Sequence, residues 1–434
     1  MRLDIYNGKT KAGVLEQTGV NRFEFTYVPG AAAAQAISLL MPVRPESWVH
    51  TELHPVFQVS LPEGYLRSVL TRIFSKGFDR FGDMELLSIA GANLVGCLAA
   101  VPEGSVPQDD AAAEPLDHLL GHSRERLIEH YLGTRARDSG VSGGFPKFLS
   151  KSPAAGTAAG AGAASATLAF ERWIIKIDSD DAPCLSLNEF FGLTVARRAG
   201  LPVPDFFLSN EGTHIAIKRF DVGATGQRNG FEDMCALLGL GSAAKFSGSA
   251  ERIIKTIGAY CAPALELQKA RAQFFAQYVL ASTIRNGDAH LKNFGLVYDD
   301  PGQARMAPVY DMLSMGIYAP KTAQGDALDT MALSFNGTKR WLTGAAIDAL
   351  ADRCLLSHAG KDAIISRIVA AVRETAAEVA GRVRTSPAQF GPSGCRMLEL
   401  WAHGAAAIDA SLAAHVRGQW VSCCAGPGGN FPPK

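Results

Sequence analysis

A helical run that breaks at Asn-Gly and releases a closely spaced set of acid and amide side chains constrains this chain more than any other feature. Residues 266–285 carry Ala270, Phe274, Tyr278, Val279 and Ala281 at helical spacing, and Asn286-Gly287 then turns the chain. The residues that follow, Asp288-Ala289-His290-Leu291-Lys292-Asn293, are expected on a loop anchored by a buried helix. Residues 294–298 and 307–310 are short β-type runs around the turn sequence Asp299-Asp300-Pro301-Gly302. A hairpin is therefore expected to carry the chain on to Tyr310-Asp311-Met312-Leu313-Ser314, so that Asp288, Asn293 and Asp311 converge at one rim.

Three oxygen-bearing side chains on two loops suit a hard cation with attached phosphates better than they suit zinc. In protein kinases a loop Asp accepts the proton of the acceptor hydroxyl, an Asn five residues on binds Mg²⁺, and a later Asp binds the Mg²⁺ that bridges the phosphates. Asp288 and Asn293 have that spacing, and Asp311 opens the segment where the second metal ligand belongs. Taken singly, Asn-Gly-Asp is an ordinary turn and Tyr-Asp an ordinary helix cap. The argument rests on their order and on partners upstream. His290 has no His-x-x-x-His companion and reads as an orienter of the loop, not as a metal ligand.

Residues 286–294 and 310–314, together with Phe231-Glu232-Asp233-Met234-Cys235 and Asn188-Glu189-Phe190-Phe191, resemble the HipA family of bacterial serine/threonine kinases, the toxin halves of HipBA-type toxin–antitoxin modules. The resemblance runs over nearly the whole chain. It implies an α+β, protein-kinase-like two-lobed fold with an extra N-terminal α+β subdomain and an α-rich C-terminal lobe. The divisions are a subdomain at 1–105 that contacts the antitoxin in the family, a linker at 106–122, a small lobe at 123–225 and a large lobe at 226–434. ATP and Mg²⁺ are the implied cofactors, with Asp288 as catalytic residue and Asn293 and Asp311 as metal ligands. The implied partners are a HipB-like helix-turn-helix antitoxin, operator DNA held mainly through that antitoxin, and a protein substrate. By resemblance that substrate is a translation component such as an aminoacyl-tRNA synthetase, and the outcome is growth arrest.

Composition agrees with a partner-borne DNA contact, because 42 Lys and Arg balance 42 Asp and Glu and leave no global charge for nucleic acid or membrane. The eight cysteines form no Cys-x-x-Cys pair, so neither a zinc site nor a disulfide framework is indicated, and a reducing cytosol fits. No uncharged run approaches the roughly 18 apolar residues of a membrane span, and a cytoplasmic protein is expected.

Upstream of this core, Ser139-Gly140-Val141-Ser142-Gly143-Gly144-Phe145-Pro146-Lys147 is a glycine-rich loop whose backbone can approach phosphate oxygens. In the HipA family a Gly-x-Gln-x-Lys loop here covers ATP and holds an autophosphorylated serine. The expected nucleotide contacts are Val141, Ser142, Gly143, Gly144 and Lys147. Phe145-Pro146 departs from the family pattern, and Gly140 falls at one position used for the regulatory serine, which leaves Ser142 or Ser139. Residues 153–168, small and chargeless, cannot build a core and read as a mobile loop.

Lys176, flanked by isoleucines in the β-type run 172–177, is either a solvated strand lysine or the lysine that clamps phosphates in a kinase small lobe. Glu189 is its candidate helix partner, although Ser186-x-x-Glu189 also reads as a capping box. Ile217-Lys218-Arg219-Phe220-Asp221 resembles the family hinge, where adenine would meet the main chain around Arg219 and Phe220. Residues 1–105 contain no cluster of catalytic type, helical periodicity dominates from Phe231 onward, and Cys423-Cys424 with Gly426-Pro427-Gly428-Gly429 reads as a frayed tail. Two further functions fit the same motifs: a degenerate kinase acting as corepressor with its antitoxin, and a small-molecule phosphotransferase on the same fold.

Overall fold

The computed structural model describes residues 1–75, 81–108, 113–129, 147–153, 170–223, 225–323 and 327–424. The loop 139–146 and the Ala/Gly stretch 154–168 lie outside them, and with them the expected contacts at Val141, Ser142, Gly143 and Gly144 and the two candidate serines.

The chain opens with strands β1 (Arg2–Asn7), β2 (Thr10–Gly19) and β3 (Arg22–Tyr27), followed by β4 (Trp48–His50) and, after three α-helices, β5 (Leu98–Pro102). They form one antiparallel sheet in the order β4-β3-β2-β1-β5. Leu3, Ile5, Leu15 and Phe25 are buried from the sheet and pack with Leu86 and Leu87 of the helix Asp83–Ala90. The last strand starts at Leu98 and not at Leu94, because Gly96 takes φ +91° and donates its N–H to the Asp221 carboxylate at 2.7 Å.

A second antiparallel sheet, in the order β6-β7-β9-β8, contains β6 (Lys147–Pro153), β7 (Phe170–Ile177), β8 (Phe206–Leu208) and β9 (His214–Lys218). Successive strand side chains point to opposite faces. Trp173, Ile175 and Ile177 accordingly enter one core with Phe148 and Ala216, and Ile174 and Lys176 face the other way, into a cleft. Leu119 also joins that core from the helix Leu116–Gly121, which lies within the stretch read as linker.

The helix Leu185–Arg198 crosses to the large lobe, which is built from the helices Ala250–Tyr260, Ala264–Thr283, Gly344–Arg353, His358–Thr385, Pro387–Ala405 and Ala410–Cys424. Ala264–Thr283 is buried nearly all round from Phe274 to Thr283, as befits a helix at the centre of the largest core. A small antiparallel sheet lies alongside, with β10 (Gly230–Asp233), β11 (Gly295–Tyr298) and β12 (Arg305–Met306). The hairpin after the first motif therefore closes through Arg305–Met306, not residues 307–310, and Phe231 lies on a strand where helix was expected.

The C-terminal cysteines depart furthest from the sequence reading. Cys423 and Cys424 are partly buried in the last turn of a packed helix, and Cys424 is joined to Cys395 by a disulfide. The pair is 29 residues apart, and only the antiparallel packing of two helices brings it together, so spacing carries no sign of it. No helix among the described residues is long and apolar enough to cross a membrane.

Candidate functional site

Strand register supplies the first two groups of the site. Lys147 on β6 stands opposite Lys176 on β7, and both side chains line the cleft. The Lys176 ammonium donates to Glu189 Oε1 at 2.6 Å and also pairs closely with Asp311. Among the described residues the Lys147 ammonium makes no hydrogen bond or ion pair, although the residue is only 6% exposed, and burial pushes the ammonium down to about 8. Burial also disfavours charge on Lys176, but Asp311 and Glu189 outweigh it and raise the ammonium above its ordinary value.

Glu189 is held for this role and not for capping. The helix Leu185–Arg198 starts from Cys184 without a side-chain cap, and Ser186 donates its N–H and hydroxyl to Asp178, each at 2.7 Å. Next to Glu189, Asn188 accepts from the Ser314 N–H at 2.8 Å and donates to the Ser314 carbonyl at 3.1 Å. One turn on, an ideal Cβ at Gly192 would stand 1.9 Å from the Met312 carbonyl oxygen. The helix thus lies directly on the segment that follows Asp311.

Asp311 adopts φ +50°, a left-handed conformation that a non-glycine residue occupies only when its surroundings impose it. Asn286 Nδ2 donates to its carbonyl at 3.1 Å and Asn293 Nδ2 to its carboxylate at 3.1 Å. Burial works against its charge, but Lys176 and then Lys147 outweigh it and hold the carboxyl well below the usual range. The Asn293 Oδ1 accepts from the His290 N–H at 3.0 Å, and Gln277 Nε2 donates to the Asn293 carbonyl at 3.1 Å, so the loop is fixed from the central helix.

Asp288 is half-buried on the cleft wall, and burial pushes its carboxyl up to about 6; Lys245 opposes the shift, while Asp311 and Asp329 add to it. His290 stacks edge-on against Phe246 at 5.2 Å between ring centres, and burial pushes it down to about 4, leaving a neutral ring 3.9 Å from the Asp288 carboxylate. A neutral, packed imidazole matches its reading as a loop orienter. Gly287 is required by contact as well as by the turn, since a Cβ there would stand 2.0 Å from Asp329 Oδ1.

The cleft wall beyond the charges is apolar. Ile174 and Ile217 come from the small-lobe sheet, and Phe220 stacks on Tyr310 at 5.6 Å. Arg219, expected beside Phe220 in the hinge, turns away: its N–H donates to the Arg172 carbonyl at 2.8 Å and its guanidinium to Asp221 and to the Leu94 carbonyl at 2.9 Å. It is therefore a strut to the N-terminal unit and does not line the cleft.

That unit, in which no catalytic cluster was expected, also reaches the site. Glu63 accepts from Lys292 at 2.6 Å and pairs with Lys245 at 3.4 Å, and all three line the same cleft. Glu63, Asn188, Gln277, Asn286 and Asp329 are the residues that sequence reasoning did not assign to the site. Asn188 and Asn286 stood inside motifs already singled out, and Glu63 stands in Leu61-Pro62-Glu63-Gly64, a segment that resembles the N-terminal subdomain of HipA proteins but carried no expected site role.

The arrangement can hold a polyanion against Lys147 and Lys176 and present ionised and amide oxygens to a hard cation. It sets a carboxylate with a near-neutral titration beside them. Comparisons with known proteins show what the chain is similar to. Residues 139–380 match the HipA-like C-terminal domain family and residues 3–101 the HipA N-terminal domain family. Y4dM of Sinorhizobium fredii (strain NGR234), named as a candidate kinase, is 29% identical over 326 residues, covering 70% of each chain. A second protein of that strain named in the same way, Y4mE, is 27% identical over 312 residues, covering 66% of this chain and 71% of its own. Among solved structures, HipA of Shewanella oneidensis MR-1, determined with HipB and operator DNA, superposes with a TM-score of 0.59 at 18% identity over 97% of this chain and 96% of that one.

Proposed function

Because this chain belongs to the HipA family, we propose that it is an ATP- and Mg²⁺-dependent protein kinase that phosphorylates a serine or threonine of a protein acceptor. The observation that carries the proposal is the convergence of Lys176, Glu189, Asp311 and Asn293 in one cleft with Asp288. Glu189 orients Lys176 towards the phosphates, and Lys147, buried without a protein partner among the described residues, binds them from the neighbouring strand. Ile174, Ile217 and Phe220 form an apolar slot suited to a purine.

Asp311 and Asn293 fit a magnesium ion: Asp311 is a carboxylate held ionised on a left-handed backbone, and the Asn293 Oδ1, which accepts one hydrogen bond from the His290 N–H, keeps a second lone pair for a cation. When bound, the ion supplies positive charge to the phosphate oxygens. Asp288 orients the acceptor hydroxyl and takes up its proton as the oxygen attacks the γ-phosphorus, whose bond to the bridging oxygen breaks so that ADP leaves. A noncatalytic corepressor would have no use for a lysine–glutamate pair buried against a strained aspartate, which favours the enzyme.

By family, the kinase works in the cytoplasm under a HipB-like helix-turn-helix antitoxin, and operator DNA is held through that partner. The Shewanella structure, HipA with HipB and operator DNA, supports the antitoxin and DNA parts of this reading.

The test is incubation with γ-labelled ATP and Mg²⁺, wild type beside Asp288→Ala, with mapping of any phosphoserine or phosphothreonine. Loss of a general base typically costs about 10²- to 10⁴-fold. Equal labelling by the variant refutes the role of Asp288, and no labelling by a folded wild type with any protein acceptor refutes the kinase.

A further inference from the structure

Away from the cleft, three sulfurs meet where two helices run antiparallel. Cys395 lies in the helix Pro387–Ala405, and Cys423 and Cys424 close the helix Ala410–Cys424. Their Sγ atoms all lie within 4.8 Å of one another, and all three residues are partly buried. Cys395 and Cys424 form the disulfide, with Cα atoms 5.7 Å apart. A staple between two helices needs only two sulfurs. Cys423 nevertheless holds its Sγ 3.2 Å from that of Cys424, positioned by a hydrogen bond from its thiol to the Gln419 carbonyl at 3.2 Å. Every other cysteine of the chain, at 97, 184, 235, 261 and 354, is buried singly in a core.

We propose that Cys395, Cys423 and Cys424 form a redox-gated site for a thiophilic d¹⁰ cation of the zinc type. In the oxidised form the disulfide occupies two of the three donors and the site is closed. A dithiol reductant opens it by delivering two electrons and two protons to the Cys395–Cys424 bond, and is itself converted to a disulfide. The cation then displaces the three thiol protons and binds three thiolates, with water in the fourth position. Zinc–sulfur bonds of about 2.3 Å in a tetrahedron set sulfurs about 3.8 Å apart; the Cys395 and Cys424 sulfurs separate to that distance once their bond is reduced, and the 3.2 Å between Cys423 and Cys424 opens by roughly half an ångström. The donor set is soft, which selects such an ion over the magnesium proposed for the cleft. The Arg384 guanidinium, bonded to Ser422 Oγ at 3.5 Å, contributes positive charge beside Cys423 that favours its thiolate against burial. This site stands independently of the kinase reading.

The test uses the full chain, reduced with a phosphine that is then removed, and titrated with Cd²⁺ while thiolate-to-metal charge-transfer absorption is recorded; Zn²⁺ is then added in competition. One equivalent of Cd²⁺ with the absorption of three thiolates, displaced by Zn²⁺ and absent from the oxidised protein, is the expected result. Cys423→Ser keeps both disulfide partners, so its folding is checked by oxidation of that pair. It should weaken Cd²⁺ binding by at least the roughly 10- to 100-fold that loss of a supporting group costs a metal site. No charge-transfer band in the reduced wild type overturns the proposal. Binding unchanged in Cys423→Ser also overturns it, and leaves Cys395 and Cys424 as a plain staple.

Discussion

Acidifying the assay from pH 7 to pH 5 should lower kcat/KM for the protein acceptor by about tenfold, because the proposed base is Asp288, whose carboxyl is pushed up to about 6 by burial. With that value about nine-tenths of the molecules carry the ionised, active base at pH 7 and about one-tenth at pH 5. An aspartate at its ordinary value, near 3.9, would stay about nine-tenths ionised at pH 5 and the profile would be flat. His290 adds no limb in this window, since burial holds it down to about 4 and its ring is neutral throughout. Asp233 and Asp178 are also pushed up to about 6 by burial, so the limb has to be traced to its owner. The charges around Asp288 do this. Lys245 favours its ionised form and Asp329 opposes it, so Lys245→Met should move the limb to higher pH and Asp329→Asn to lower pH, each by up to about one unit. Initial rates of transfer from γ-labelled ATP at subsaturating acceptor measure the limb. A limb near pH 4, or one that ignores both substitutions, refutes Asp288 as the base.

Three other substitutions follow from what each side chain meets. Gly192→Ala should cost about 1–3 kcal/mol despite the better helix propensity of alanine, and should slow phosphotransfer, because its Cβ meets the Met312 carbonyl at 1.9 Å. Gly381→Ala, in the helix His358–Thr385 with nothing within 4 Å of the new Cβ, should instead stabilise by up to about 1 kcal/mol, and denaturant unfolding of the two variants gives the contrast. Glu63→Gln should destabilise by about 1–2 kcal/mol, discounted for partial exposure, because it removes the carboxylate between Lys292 and Lys245. It should also lower kcat more than it changes KM for ATP. An unchanged kcat would show that Glu63 serves the domain contact alone.

The parts of the site that could be read from sequence are those whose chemistry is local. The Asp288–Asn293 spacing, the place of Asp311 after the hairpin and the β-type run around Lys176 all follow from residue order, and the structure brings Asn293, Asp311 and Lys176 into contact. The choice between cap and ion pair at Glu189 could not be made that way, because it depends on Asp178 taking over Ser186 from across a loop. The side chain at the hinge was not legible for a related reason: Phe220 lines the cleft, but the Arg219 guanidinium belongs to a buried pair with Asp221 that only tertiary packing reveals. Cys395 and Cys424 carry no spacing signal at all, since a helix hairpin and not a motif unites them.

The same logic explains why a chain with an apparently separate N-terminal module should carry its family resemblance in scattered segments. Glu232, fully buried, is an expensive group to leave unbonded. It accepts from Ser38 Oγ at 2.6 Å and the Leu39 N–H at 2.8 Å in the N-terminal unit, and from the Tyr298 hydroxyl at 2.8 Å on β11. The next residue, Asp233, caps the helix Met234–Leu237 by accepting from the Ala236 N–H at 2.8 Å, and Met234 donates its own N–H to the Phe294 carbonyl at 2.8 Å, one residue from Asn293. Glu63 arrives at Lys292, the other neighbour of Asn293, from a different part of the same unit. Two independent polar connections from the N-terminal unit thus flank one proposed metal ligand. A displacement of that unit large enough to break either connection removes a hydrogen bond or ion pair adjoining Asn293, so the loop cannot keep its geometry while the unit moves freely.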